Sequence, residues 1–370
     1  MLDNITNTIK LLIYKENSSI FEKLDFEDDA IFLEPILFAY FNSKKDQLYS
    51  ETLLTEIMQG YFIKNEPLFL KESYNKDQIA YVPKLGYFDK TNKKIDDVFI
   101  IADTTIELIK HPLVHLKNIF KDFNENVINE SKIEISKVLS DKYEKQLTNA
   151  FQYIKTSNKE YFELIEQCCK KIVLFITDPK NTNSFATINA HGIAFFNVYQ
   201  EDYDEVFFID DIAHQTGHII MTSVLFERKN YFKIDENLNV GLLTNEKSEY
   251  RSFYILFHAL YTYYTSILCL DSCIDNSCLN TRQIHEAHGR IGFYLLKYKS
   301  DLERFEKIEI KHKGIGNILT YEGIEIFNMI KFMYAEKSQK HIDLVKKMKY
   351  NNQPYNFTYS KFLELNPIKK

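Results

Sequence analysis

The 370-residue sequence has no tryptophan, and it has only 10 glycines and 7 prolines. Glycine and proline form most tight turns, so their scarcity favours long helices over a fold of many short strands. Forty-six basic residues against 52 acidic residues give a net charge of −6, and the basic residues are scattered along the chain. Binding to nucleic-acid phosphates needs a concentrated positive surface. The composition therefore disfavours nucleic-acid binding.

The sequence also lacks the usual signals for export and membrane insertion. Its amino terminus has neither the basic start nor the apolar run of a signal peptide. The most apolar stretch, residues 253–270, includes His258 and several Tyr, Thr and Ser residues. A bilayer span needs about 20 mostly apolar residues, so we interpret this stretch as a buried amphipathic helix. The five cysteines are an odd number, which indicates reduced thiols. We expect a cytoplasmic protein without a membrane partner.

Hydrophobic periodicity predicts a mainly α fold. A compact apolar run at 171–177 predicts a buried strand, and residues 184–189 and 192–198 predict a hairpin. Helical spacing follows at 204–226, 249–270, 281–305 and 320–337. We therefore predict long helices with one small hairpin or sheet that precedes a histidine-bearing helix. The predicted organisation is an N-terminal helical region at 1–130, a metal-binding catalytic domain at 131–340 and a C-terminal tail at 341–370.

Two histidines lie four residues apart in the helix predicted at 204–226. His214 and His218 project from one helix face about a turn apart, so both imidazoles can bind one ion. This is the ligand spacing of the zincin-like His-Glu-x-x-His helix, although two histidines of a core helix have the same spacing. In zinc peptidases the intervening Glu is the general base, but this chain has Gln215, whose amide has no useful basicity. Hydrolysis is disfavoured, and a redox reaction or a structural site fits better.

A third ligand must come from another segment. His258 lies in an apolar stretch, where an imidazole needs a polar partner; the alternative to a metal is a neighbouring tyrosine. Arg251 lies two helical turns before it on the same face and suits a dicarboxylate cosubstrate, or else a salt bridge to Glu249 or Asp235. Arg290 is a second candidate anion clamp. Further ligand candidates are Asp210, Asp235, Glu246, Glu249, His285 and His288.

The order of these segments resembles one enzyme family, the His-Glu-x-x-His-motif peptide-modification proteins. These are 2-oxoglutarate- and Fe(II)-dependent peptide β-hydroxylases of ribosomal peptide natural product pathways. The resemblance covers about residues 170–335, and its motifs are Ser184-Phe185, Gly192-Ile-Ala-Phe-Phe196, His214-Gln-Thr-Gly-His218, Arg251-Ser-Phe-Tyr-Ile-Leu-Phe-His258 and Leu319-Thr-Tyr-Glu-Gly323. It implies that His214, His218 and His258 hold Fe(II) and that Arg251 anchors 2-oxoglutarate. Gln215 departs from the motif, but an oxygenase does not need a base at this position, and the amide can orient a ligand.

We therefore expect an Fe(II)/2-oxoglutarate-dependent dioxygenase that hydroxylates a side-chain β-carbon of a ribosomally made peptide. Gln215 and Arg251 are its candidate catalytic residues, and Arg251 and Arg290 are its candidate cosubstrate-binding residues. The expected partner is a precursor peptide. The alternative is a catalytically silent zincin-like protein that holds zinc structurally and binds a peptide or a partner enzyme.

Overall fold

The computed structural model of the chain describes residues 2–44, 50–64, 66–201 and 203–368. Within them the fold is mainly α-helical with small sheets, as predicted. The chain forms two compact units, one of residues 1–148 and 163–203 and the other of residues 149–162 and 204–370. This division differs from the one predicted at residue 130, because the strands between 171 and 197 belong with the N-terminal residues. The tail predicted at 341–370 belongs to the second unit.

The first unit contains short helices and two sheets. Its helices are α1 (Asp3–Glu16), α2 (Asp29–Phe32), α3 (Pro35–Lys44) and α4 (Glu51–Met58), and it includes parts of α5 (Lys137–Ser157) and α6 (Lys159–Cys168). An antiparallel sheet is formed by β1 (Ala80–Val82), β2 (Gly86–Phe88) and β3 (Lys94–Asp96). A second sheet has the order β4-β5-β7-β6, with β4 (Glu107–Ile109), β5 (Lys171–Phe175), β6 (Phe185–Ala186) and β7 (Ile193–Asn197).

The predicted strand and hairpin are parts of this second sheet. Strand β5 pairs in parallel with both β4 and β7, whereas β6 and β7 form the antiparallel hairpin. Phe185 stacks on Phe195 across the hairpin at 4.5 Å between ring centroids. Gly192 enters β7 with φ +93°, a conformation that favours glycine. The N-terminal region is helical only in its first part, because the described residues between 62 and 136 form strands, 3₁₀ turns and loops.

The second unit is a set of helices built around α9. Its helices are α7 (Glu205–Val224), α8 (Val240–Thr244), α9 (Phe253–Asp275), α10 (Thr281–Lys311), α11 (Tyr321–Lys340), α12 (Ile342–Lys347) and α13 (Tyr359–Leu365). Side-chain caps start the four long helices, with Asp204, Ser252, Asn280 and Thr320 each accepting a hydrogen bond from a backbone N–H of the first turn. Helix α9 packs against α7, α10 and α11.

Helix α9 is apolar because it is the core of this unit. Among the described residues it is the one helix that is long and apolar enough to cross a bilayer. However, 72% of its most apolar window is buried inside the protein. That burial is the one expected of a core helix, in agreement with the interpretation of residues 253–270.

Helices α7 and α9 approach each other closely at Gly217. A Cβ at Gly217 would lie 2.6 Å from Oγ1 of Thr265, so only glycine fits without a shift. Thr265 also donates a hydrogen bond from Oγ1 to the Ala213 carbonyl oxygen at 2.9 Å, across the two helices. This contact sets how far the side chains of α7 lie from those of α9.

Candidate metal centre

The three predicted histidines lie next to one another across this helix contact. His214 and His218 face the same side of α7, with 5.2 Å between their ring centroids. His258 of α9 lies 5.9 Å from His218 by ring centroids, with the two rings nearly parallel at 15°. Two separate segments thus bring three imidazoles together, as the sequence motifs imply.

All three imidazoles are kept uncharged by burial. Burial lowers the pKa of His214 to about 3 and that of His218 to about 3. The pKa of His258 is also lowered well below its ordinary value, first by burial and then by its neighbour His218. The neutral imidazole is the form that binds a metal, so these histidines need not lose a proton at neutral pH before they bind one.

Two buried polar atoms at this place have no hydrogen-bond partner among the described residues. They are Nε2 of His258 and Oε1 of Gln215. The Tyr254 ring packs on the His258 ring at 4.2 Å between centroids, but its hydroxyl does not hydrogen bond to Nε2. Buried polar atoms are nearly always paired, so this ring nitrogen is available to bind a ligand beside the two other imidazoles. In contrast, Nδ1 of His214 lies 3.3 Å from Oγ of Ser266.

Three neutral imidazoles are suitable metal ligands, but the rings are not oriented toward one common point. In the described part of the chain, no group of three or more His, Cys, Asp or Glu side chains is arranged to hold a metal ion. The three histidine rings are neighbours, and their nitrogens must turn toward a common point before all three can bind one ion. Neutral imidazoles suit zinc, copper, iron and nickel. The residues therefore fit a three-histidine centre of one of these metals.

Gln215 occupies the position of the peptidase base and is buried at 4% exposure. Its amide cannot accept a proton near neutral pH, so it cannot activate water as a carboxylate does. The amide nitrogen can still donate a hydrogen bond to a ligand or substrate oxygen. The chemistry available here is therefore binding and orientation.

Arg251, the predicted cosubstrate anchor, is held by two carboxylates. Glu249 accepts from its Nε and Nη2 at 3.0 and 2.6 Å, and Asp301 accepts from Nη1 and Nη2 at 2.8 and 2.7 Å. The salt bridge to Glu249 that the sequence left as an alternative is thus present. Four of the five guanidinium N–H groups are used, and a dicarboxylate has to displace one of these carboxylates to be bound in bidentate fashion.

Arg290 is paired in the same way and is buried at 4% exposure. Its guanidinium donates to Asp210 at 2.7 Å and to Glu286 at 2.7 and 3.0 Å. Tyr294 also donates to Asp210, at 3.1 Å, and its ring lies 5.6 Å from the His214 ring by centroids. Arg290 therefore stabilises the helix face behind His214.

Three of the other ligand candidates, Glu246, Asp235 and His285, have partners of their own. Glu246 accepts from Arg304 and Lys307 at 2.9 and 2.8 Å, and Asp235 accepts from the backbone N–H of Asn237 at 2.9 Å. Nδ1 of His285 lies 3.2 Å from the Tyr359 hydroxyl. Sequence reasoning missed the α10 residues Tyr294 and Lys297. Their spacing from Arg290 by four and seven residues places all three on one helix face, which was a readable signal.

No known protein-family model matches this chain, and no curated protein sequence is significantly similar to it. The family resemblance thus depends on the motifs and their order.

Proposed function

We propose that the protein binds Fe(II) through His214, His218 and His258 and uses it with 2-oxoglutarate to hydroxylate a side-chain β-carbon of a ribosomally made peptide. The observation that supports a metal centre is the group of three adjacent, neutral imidazoles, of which His258 is buried with an unpaired Nε2 and His214 and His218 are half-buried. Gln215 supports a reaction other than hydrolysis, because it replaces the base that hydrolysis requires.

The residues of the chain have separate roles in this proposal. When bound, Fe(II) and 2-oxoglutarate supply with O₂ the oxidising power for C–H hydroxylation. His214 is oriented by Ser266, as ligand histidines commonly are by a second hydrogen bond. The Tyr294 ring packs on one side of His214 and helps to hold its ring in place. Gln215 positions a ligand or substrate oxygen through its amide N–H groups.

Metal content is the first test. After anaerobic purification, the wild-type protein should hold about one iron per chain, and His258→Ala should lose most of it. His285→Ala is the matched control, because His285 lies on α10 against Tyr359, away from the three rings. Equal metal content in the His258 and His285 variants would exclude His258 as a ligand.

Turnover is the second test. The anaerobic iron-loaded protein is mixed with 2-oxoglutarate and a candidate precursor peptide encoded beside its gene, and O₂ is then admitted. We expect succinate and a peptide heavier by one oxygen atom. Absence of succinate both with and without the peptide would overturn the oxygenase proposal while leaving the metal centre intact.

A silent zinc-binding protein is the second candidate function. It is favoured by the pairing of Arg251 and Arg290 with carboxylates, which leaves neither guanidinium ready for a dicarboxylate. Stoichiometric zinc together with no binding of 2-oxoglutarate would support this candidate.

We also propose a reducing, cytoplasmic location. All five cysteines are free thiols, and Cys168, Cys169, Cys269 and Cys273 are buried. Mass spectrometry of alkylated protein from intact cells should find no disulfide.

A further inference from the structure

Lys297 is a cation of the second unit whose ammonium group is not paired with a carboxylate. It lies on the face of α10 that also presents Tyr294 toward His214. Its Nζ donates to the Tyr355 carbonyl oxygen at 2.7 Å and lies over the Tyr355 ring at 4.2 Å and the Phe293 ring at 4.8 Å. Of the described acidic residues, none has a carboxylate oxygen within ion-pair distance of this Nζ.

The surroundings of Lys297 connect it to the candidate metal centre. The Tyr263 ring is a common neighbour of Lys297 and His214, with its centroid 5.9 Å from Nζ of Lys297 and 6.2 Å from the centroid of the His214 ring. Burial lowers the pKa of Lys297 to about 8, so much of the ammonium form remains at neutral pH. Lys297 is half-buried and its ammonium has one carbonyl partner, so it keeps N–H donors that an anion can accept from.

We infer that Lys297 binds a carboxylate of the ligand held at the three histidines, namely the distal carboxylate of 2-oxoglutarate. This inference rests on the proposed function and changes its anchor from Arg251 to Lys297. The two arginines already bind Glu249, Asp301, Asp210 and Glu286, whereas Lys297 has N–H donors to spare. An ammonium is a compact charge with rotatable donors, so it can bind a carboxylate through a single oxygen.

The inference is tested by removing the lysine from the protein, the distal carboxylate from the ligand, or both. Binding is measured by calorimetry on Zn(II)-loaded protein, which binds the oxo acid without turning it over. The ligands are 2-oxoglutarate and 2-oxopentanoate, which has the same chain length without the distal carboxylate. The variants are Lys297→Met, Lys297→Arg and the control Lys299→Met, whose lysine is exposed and pairs only weakly with Glu303 at 3.8 Å.

We expect Lys297→Met to weaken 2-oxoglutarate binding by about 10- to 100-fold, the usual effect of one charge-assisted hydrogen bond. The same variant should leave 2-oxopentanoate binding unchanged, and Lys297→Arg should restore part of the loss. Lys299→Met should bind both acids as the wild type does. The thermal midpoint of Lys297→Met should not fall, because the variant removes an ammonium without a carboxylate partner.

The outcomes that overturn the inference differ from those that overturn the proposed function. If Lys297→Met binds 2-oxoglutarate as tightly as the wild type, this inference alone is wrong, and Lys297 then faces an acidic group of the substrate or has only a structural role. If the Zn(II)-loaded wild type binds no 2-oxoglutarate, the proposed function fails and this inference fails with it.

Discussion

Lowering the pH from 7 to 5 should remove much of the stability of the metal-free protein, because its site histidines are buried without charge. Burial lowers the pKa of His214 and of His218 from 6.5 to about 3. Between these values the unfolded chain takes up protons that the folded protein does not. Unfolding therefore becomes easier as the pH falls. The stabilisation is fully present above pH 6.5 and is lost progressively toward pH 3.

The size of the effect follows from the same two pKa values. At pH 5 each such histidine contributes about 2 kcal/mol less to the free energy of unfolding than at pH 7. His214 and His218 together lose about 4 kcal/mol, and His258, whose pKa is also lowered, adds to this loss. The total stability of a protein is only about 5–15 kcal/mol, so the metal-free protein should be close to unfolding at pH 5.

Urea unfolding at pH 7 and pH 5 measures this loss. His258→Leu removes one group whose pKa burial lowers, so the stability of this variant should fall less than that of the wild type over the same change in pH. Leu260→Ala is the control, because Leu260 is a fully buried, non-titrating residue of the same helix. It should be less stable at both pH values, with the pH dependence of the wild type. If His258→Leu and the wild type lose the same stability, the buried imidazole is not the cause.

Three other predictions follow from the same geometry. While the protein stays folded, its Kd for Zn(II) should change less than about twofold between pH 7 and 5.5, because the histidine ligands are already neutral. A chelator competition assay measures this Kd, and a steep loss of Zn(II) affinity would mean that the histidines titrate normally. Gly217→Ala should cost about 1–2 kcal/mol in urea unfolding and weaken Zn(II) binding, since its Cβ would meet Thr265 at 2.6 Å and overpacking exceeds the gain in helix propensity. Gly316→Ala, with nothing within 4 Å of the new Cβ, should change neither quantity greatly. Arg290→Met should cost about 3–5 kcal/mol, because it leaves the buried Asp210 and Glu286 carboxylates with fewer partners; a thermal midpoint equal to that of the wild type would contradict this.

The helices of the second unit could be predicted from the sequence because their signals are local. Apolar residues at helical spacing gave α7, α9, α10 and α11 close to their observed positions. Gly323 is an example of a local signal with a structural cause. Thr320 caps α11 by accepting from the Gly323 N–H, and a Cβ at Gly323 would lie 2.2 Å from the Tyr231 carbonyl oxygen.

The strands of the N-terminal part were missed because they are too short to show a period. Each strand of the antiparallel sheet has three residues, which is less than two full alternations. Strand β4 is also three residues long, and its pairing with β5 joins positions more than 60 residues apart. Periodicity within one stretch of sequence cannot indicate such a partner.

The spacing in the sequence identified the histidines of the candidate centre, but it did not show that Arg251 and Arg290 pair with distant carboxylates. The pairing of Arg251 with Asp301 crosses 50 positions, and that of Arg290 with Asp210 crosses 80. The sequence near a metal motif does not show whether a guanidinium is free to bind a ligand or is paired with a carboxylate of the same chain. Only the packing of α10 beside α9 and α7 distinguishes the two cases.

The close approach at Gly217 also affects the three histidine rings, because it lies between the helices that carry them. His214 and His218 are one helical turn apart, a spacing that any α-helix provides. Their distance to His258 depends instead on how closely α7 packs against α9. This packing distance depends on Gly217, which has no side chain, and on Thr265, which lies opposite it on α9. A single core contact, remote from any loop, therefore sets how far the imidazoles of α7 lie from the imidazole of α9.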